Sequence, residues 1–479
     1  EWEDVGFEKI DDLTFKIYLN SNVTQYDLIG SLGIINLVHP ESFAQGFDAA
    51  GTTNNYGSIE NPLVSYGPFT LENNYDATNT FTFTRNETYF AAWDYSIAKI
   101  NGPIIIDQTA IINEFKAGNL DVAGVGGEFW EEFQNHANLY VSPSNSFYRL
   151  AISTDRSNGS SGKVTPIMKY ADFRQALYLA TDREEFANEV QPPSQGALGY
   201  LSNIHQVSEW ASQAYASSAT FRQQLEELGL EPESGGFDSI KAKALFEQAY
   251  ADAVAAGDYA AGEKVVVEYS FYDAGSNTRI ANWVKAQYEE VFGTEKFELK
   301  LIALSNDELN AQRAAGDFDL VFTGMSGATF QATFGMGYIF SPTFSTFLVG
   351  KGHGIPDKEV TADIFNLFDI IDAKAEADRT ASEKAFYEAL DEGVFTGTFD
   401  ELFELFSNTG ELATDYEGQE EDLTNITAAL EKALLEQMIA VPLFSSTSAA
   451  VYSDNVVRLA HAYHLFLGWG GLTYTNIKA

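Results

Sequence analysis

The sequence predicts an α/β protein with more than one domain, and three observations carry that expectation. The chain has 479 residues, more than one hydrophobic core usually serves. Two stretches, 103–141 and 265–322, each alternate strand-like and helix-like patterns with short links, the grammar of parallel sheets. Between them lies Gln191-Pro192-Pro193-Ser194-Gln195-Gly196, a linker by composition. Two α/β lobes in one chain make a cleft.

Composition narrows the class further. With 45% hydrophobic and 14% aromatic residues the chain can bury large cores, and no apolar run approaches the ~20 residues of a membrane span. A net charge of −41 argues against nucleic acid, whose phosphates need a basic face, and disfavours anionic lipid. The chain has no cysteine, which removes thiolate metal sites, Fe–S clusters and cysteine nucleophiles and leans towards export without disulfides. Its first residue is Glu1, with no signal peptide or lipid-attachment cysteine in view, so a processed, truncated or partial chain is expected.

In chain order, 5–19 reads as strand, Asp11-Asp12 turn and strand. In 66–90, Gly67-Pro68 breaks the chain, Phe69-Thr70-Leu71-Glu72 is extended, and 73–79 turns. Phe81-Thr82-Phe83-Thr84-Arg85 then returns with strict alternation, a hairpin with one dry face and one wet face. Asp107 can cap a helix that ends at Ala117-Gly118, with Ile111, Ile112 and Phe115 inward. Strands at 103–106, 120–125 and 139–141 alternate with helices, so parallel pairing is expected among them. The aromatic strand Phe147-Tyr148-Arg149-Leu150-Ala151-Ile152-Ser153 precedes a Gly/Ser-rich loop at 157–162. A helix over 172–180 follows, then a second capped by Thr181 or Asp182, both at capping-box spacing.

Beyond the linker, Asp238 caps a helix to Ala255, and strands at 265–272, 297–302 and 319–322 alternate with helices. Residues 356–438 read as acidic helix with a Gly/Thr-rich excursion over 392–420. Ile439-Ala440-Val441-Pro442-Leu443-Phe444 is a buried strand.

Two stretches carry a resemblance. The pattern Gly67-Pro68-Phe69 … Leu71 … Arg85-Asn86 … Tyr89-Phe90 resembles the signature strand pair of the oligopeptide- and dipeptide-binding proteins, family 5 of the solute-binding subunits of ABC importers. The run 172–186, DFRQALYLATDREEF, is similar to the same family's helix–cap–helix phrase, and 439–444 to its late strand. The resemblance implies a two-lobed periplasmic-binding-protein-like (type II) architecture with a partial third domain and a missing N-terminal portion. On it, 1–26 would be a remnant of the small middle domain, 27–196 lobe I, 197–446 lobe II and 447–479 a return to lobe I. It implies capture of oligopeptides between the lobes and delivery to a permease driven by ATPase subunits on other chains, outside the cell or in the periplasm. Membrane attachment would come only through a lipid anchor absent from this chain, and no cofactor or metal is implied.

The family turn with a Trp and an ammonium-binding Asp aligns here with Gly324, Met325, Ser326, Gly327 and Ala328, so the Trp is Met and the Asp is Ala. A buried ammonium without its carboxylate is costly, which leaves ligand length and identity open. Phe147, Tyr148 and Arg149, with Gly324, Met325, Ser326, Gly327, Ala328 and Thr329, are expected to line the cleft from opposite sides.

Catalytic signals are weak. Gly324-Met325-Ser326-Gly327 misses the nucleophile-elbow spacing by one residue, Ser160-x-x-Lys163 lacks companion motifs, and Gly124-Val125-Gly126-Gly127 lacks dinucleotide spacing. His461 and His464 lack a marked third ligand, and Asp317/Asp319 read as a solvated acidic face. Alternatives to peptide binding are another solute, such as an oligosaccharide or metal chelate, or a cell-surface adhesion role.

Overall fold

A computed structural model describes residues 6–19, 38–72, 79–156, 165–273, 275–326, 332–341, 352–408, 416–458, 463–464, 468–469 and 471–478. The chain packs as two units: Glu1–Leu28 with Pro143–Thr447, and Ile29–Ser142 with Ser448–Ala479.

In the second of these, strands β1 (Phe69–Leu71), β2 (Thr80–Arg85) and β3 (Lys99–Pro103) form an antiparallel sheet in which Phe69 faces Arg85 and Leu71 faces Phe83. The hairpin forms where its alternation predicts, but its faces are not divided into dry and wet: Thr82 is buried while Phe81 and Phe83 are half-buried; 73–78 of its turn lies outside the described residues. Its closing motif is fastened back on its opening one: Asn86 donates to the Gly67 carbonyl through its side chain and to the Pro68 carbonyl through its backbone N–H. Helix α1 (Gln108–Lys116) starts where Asp107 accepts the Ala110 N–H at 2.7 Å. It turns Ile112 into a small core with Ala123, Val125, Phe133, Ala449 and Val451. Strand β4 (Val122–Gly124) does not pair in parallel with a neighbour in sequence; it runs antiparallel to Ala450–Tyr452, more than 300 residues away. β3 likewise joins the antiparallel hairpin sheet. Local periodicity marks a strand but cannot name a partner contributed by a distant segment.

The larger unit is built on strands β5 (Leu139–Ile152, its part from Pro143 onward), β6 (Val265–Tyr272), β7 (Phe297–Leu304), β8 (Leu320–Ser326) and β9 (Ala440–Tyr452, its first part), in the order β7-β6-β8-β5-β9. β7, β6 and β8 are parallel, as their strand–helix alternation predicts, and β8 turns antiparallel to β5. Helices α2 (Ala171–Leu179), α3 (Arg183–Glu189), α4 (Ala219–Glu227), α5 (Ser239–Ala256), α6 (Asn277–Phe292) and α7 (Asn306–Ala315) accompany this sheet. Asp182 and Asp238 cap α3 and α5, accepting N–H groups of Glu185, Ile240 and Lys241. Phe173 of α2 meets the rings of Phe246, Phe292 and Phe297 at centroid distances of 5.9, 6.1 and 6.2 Å. Each such fully buried aromatic contributes about 2–3 kcal/mol of hydrophobic stabilisation.

After α8 (Ala332–Phe340), the stretch 356–438 is mostly helix, as expected, and ends in α9 (Gln419–Gln437), but it also carries strands the sequence does not announce: Glu359–Asp363, Leu390–Asp391 and Val394–Thr398 form a three-stranded antiparallel sheet packed on α9. Two expectations need correction. Gln195–Gly196 is no free linker, since it pairs with Phe444 and Ser445 of β9. Asp317 and Asp319 are buried, 2% and 0% exposed. Arg156 donates to both at 3.1 and 3.0 Å and to Glu268, and Thr165 donates to Asp319 at 2.9 Å. Arg156 lies some 160 residues upstream, so no local spacing announces this network.

Candidate functional site

β8 and β5 bring the sequence-selected residues together in one ladder. Met325 stands opposite Phe147, Gly324 opposite Tyr148 and Ser326 opposite Ser146. The two segments therefore do not line opposite walls of a gap, as the sequence suggests; they are neighbours across hydrogen-bonded strands. Residues on alternate sides of this pair do different things.

On one face, Phe147 and Arg149 are buried, and the Arg149 guanidinium lies 5.3 Å from the Phe147 ring centroid and 4.7 Å from that of Phe340 on α8. Burial pulls the Arg149 pKa down to about 9, still well above neutrality, so the cation persists and is held by aromatic faces. Beside it, Arg313 donates to the Thr323 hydroxyl at 2.9 Å.

On the other face, the Tyr148 ring is stacked between Phe322 (5.5 Å) and Phe444 (4.6 Å), nearly parallel to both. Gly324 lies directly under it, and a β-carbon there would fall 2.6 Å from Tyr148 Cδ1. Glycine is needed at this position for close approach. Towards the strand end the surface becomes polar: the Ser146 and Ser326 hydroxyls are 2.6 Å apart and exposed. Ser202 donates to the Ser144 carbonyl at 3.0 Å, and the Asn203 N–H to the Ser445 hydroxyl at 3.0 Å.

Of the nine sequence-selected residues, Phe147 and Arg149 are enclosed in the core, Tyr148, Gly324 and Met325 are half-buried, and Ser326 is exposed. Gly327, Ala328 and Thr329 lie outside the described residues, as do 157–162, Lys163 and His461. Sequence reasoning did not single out the polar groups beside this strand end, Ser144, Ser146 and Asn203, nor Ser202 and Ser445, which are buried and bond to them. A signal existed: the hydroxyl-rich runs Ser142-Pro143-Ser144-Asn145-Ser146 and Ser445-Ser446-Thr447-Ser448 sit inside strands, where a purely structural strand would favour β-branched or aromatic side chains.

The stretch before α4 is tied to α9 by a buried carboxyl group. Glu431 accepts the Tyr200 N–H and the Tyr215 hydroxyl, each at 2.7 Å, with the Tyr178 phenol also in its electrostatic reach. Burial raises its pKa from 4.5 to about 7. Its folded value thus exceeds its unfolded value, and its favourable contribution is complete below about pH 4.5 and lost as the pH climbs to about 7. Relative to Glu431→Gln, which holds no titrating proton, the wild-type protein is expected to lose on the order of 3 kcal/mol between those limits. Denaturant unfolding of both proteins across that range reads the difference directly.

Among the described residues no helix is long and apolar enough to cross a membrane, and no group of three or more His, Cys, Asp or Glu residues could hold a metal ion.

Residues 1–347 match the bacterial extracellular solute-binding proteins, family 5 Middle. The chain belongs to this family, whose members are the solute-binding subunits of ABC importers. Its fold is shared with the substrate-binding domain of an oligopeptide ABC transporter from Bacillus anthracis str. Ames, at 18% identity and a TM-score of 0.63 over 100% of this chain and 76% of that one. It is shared with Listeria monocytogenes OppA bound to peptide, at 15% identity and a TM-score of 0.63 over 99% and 75% of the two chains. The Escherichia coli murein tripeptide binding protein MppA aligns at 14% identity, with a TM-score of 0.61 over 98% and 74%. The architecture is thus the α/β, periplasmic-binding-protein-like (type II) one. No curated protein matches the sequence.

Proposed function

We propose that this chain captures oligopeptides outside the cell or in the periplasm and delivers them to a membrane permease, and that it has no catalytic role. Membership of family 5 is the observation that carries the reading. Several solved structures of the same fold are of oligopeptide-binding proteins, at least two of them bound to peptide. The permease and ATPase partners are those expected of a member of this family, and a lipid anchor on the exported protein is part of the same proposal. The two lobes would be the two packed units, with 143–196 grouped with 197–447.

The ligand-contacting surface would include the polar end of the β5–β8 pair, namely Tyr148, Gly324, Met325 and Ser326, continued by Gly327, Ala328 and Thr329. Phe147 and Arg149 would position that pair from the core. Exposed serine hydroxyls and strand-end backbone suit a ligand recognised through its main chain, because the same hydrogen bonds are offered by any sequence. Tolerance of many side chains then needs only space and water around them.

A mixed pool of tri- to octapeptides is expected to raise the melting temperature by several degrees, since a ligand at a hundredfold excess over Kd adds about 2.7 kcal/mol. A shift with disaccharides or metal chelates but none with peptides would refute the peptide assignment, and peptide turnover by pure protein would refute the absence of catalysis.

A further inference from the structure

A cavity of about 610 Å³ lies in the larger unit, within the roughly 300–1,000 Å³ common to small-ligand sites. One wall is the stretch carrying Ser208, Trp210 and Gln213; the others are the start of α4, with Thr220, and the first turns of α9, with Thr424 and Asn425. Trp210 is 69% exposed, although the stretch that bears it is firmly held. The Ser212 N–H and hydroxyl both donate to Glu420 (3.0 and 2.9 Å), Gln206 donates to the Ala211 carbonyl at 3.0 Å, and the Tyr215 N–H reaches the His205 carbonyl at 2.8 Å. The far wall is equally fixed. Tyr416 donates to Asp422 at 3.1 Å, and Asp422, buried, also accepts the Leu367 N–H at 2.8 Å. A β-carbon on Gly418 would strike the Asn366 side chain, so the floor admits no larger residue there.

The chemistry of the lining selects the ligand class. It contains no lysine, arginine or histidine, which disfavours anions. Its two carboxylates, Glu420 and Glu421, accept from Ser212 and from the Asn366 amide at 3.3 Å and keep lone pairs that can accept from a ligand's hydroxyls, so the lining offers acceptors as well as hydroxyl and amide groups. Hydroxyl and amide side chains around an aromatic face suit a ligand with both polar groups and flat C–H surfaces. We infer that this cavity binds a neutral saccharide, its ring lying on the Trp210 indole and its hydroxyls bonded to Gln213, Thr220 and Asn425. The site is separate from the strand-end surface proposed for peptide.

The sugar could be free or part of a wall polymer, and two assays separate these sources. Calorimetry with maltose, cellobiose and N,N′-diacetylchitobiose tests free disaccharides, and co-sedimentation with insoluble peptidoglycan tests the polymer. Binding to at least one probe is expected, weakened about tenfold or more by Trp210→Ala and by Gln213→Ala, while the thermal shift with peptides is unchanged. Both variants should fold, since Trp210 is largely exposed and Gln213 caps nothing. Binding to none of these probes, binding that survives both substitutions, or Trp210-dependent binding of a lysine-rich peptide instead would each overturn the inference. Loss of the peptide shift in the wild-type protein, by contrast, would refute the proposed function and leave this site standing.

Discussion

Arg183→Met is expected to destabilise the protein by about 4 kcal/mol and to leave little folded protein at 37 °C. Arg183 is 1% exposed, and its guanidinium lies 3.9 Å from the Tyr178 ring centroid. It donates to four backbone carbonyls: Pro442 at 2.8 Å, Thr181 at 3.1 Å, Tyr178 at 3.2 Å and Gly236 at 3.3 Å. Those carbonyls belong to the end of α2, the stretch before α5, and β9, so one side chain joins three separated parts of the sequence. Methionine fills much of the volume but removes the guanidinium donor from all four buried carbonyls, of which Tyr178 keeps the Thr181 N–H at 3.3 Å; a buried acceptor left unpaired costs about 1–3 kcal/mol before relaxation. Arg183→Lys should recover little, because a compact ammonium on a flexible stem cannot serve the same planar fan of acceptors. Guanidinium unfolding of the three proteins checks the order wild type, Lys, Met, and a Met variant within about 1 kcal/mol of wild type, the worth of a single ordinary hydrogen bond, would contradict it.

Gly324→Ala should cost about 1–3 kcal/mol, as overpacked core positions do. The new methyl group meets Tyr148, whose ring is held on both sides by Phe322 and Phe444 and has no free direction to move. A double variant isolates the cause: with Tyr148→Leu in place, Gly324→Ala should cost markedly less than it does alone. Equal costs in both backgrounds would mean that the ring contact is not the source. The same substitution should also weaken peptide binding if the strand end at Ser326 is the ligand surface, because the displaced ring lies close to it along the same ladder.

These two positions also show where the sequence was readable. Arg183 falls in 172–186, the run whose caps and apolar stripe announce two helices; the first forms within one residue of its expected bounds, and the second is capped by Asp182, one of its two candidate caps. Asp107, Asp182 and Asp238 each cap the helix that follows them, because a cap is a contact between residues two or three apart and is written locally. The three parallel strands of the larger unit are legible for the same reason: strand–helix–strand with short links has few other solutions.

What was not legible depends on partners far along the chain. Phe147 reads as a strand residue and Met325 as part of a turn, but the strand runs on to Ser326, and nothing near either residue says that they stand opposite one another. The acidic pair Asp317 and Asp319 looks like any other in a chain of net charge −41, until Arg156 arrives to bury it. The strand at 394–398 hides in a Gly/Thr-rich acidic stretch, because a short strand in a small sheet needs little apolar alternation. At the candidate site, aromatic bulk drew attention to Phe147 and Arg149, which the fold encloses; the exposed serines nearby are individually commonplace residues. Their pairing across strands, which makes them a surface, exists only in three dimensions.

Hydrogen exchange with and without peptide tests the central claim most directly. If peptides bind at the end of the β5–β8 pair, a saturating pentapeptide pool will slow amide exchange in 144–148 and 322–329 of the wild-type protein. A ligand-induced melting shift accompanied by unchanged exchange in both segments would contradict that placement, and no change anywhere in the protein would contradict peptide capture itself.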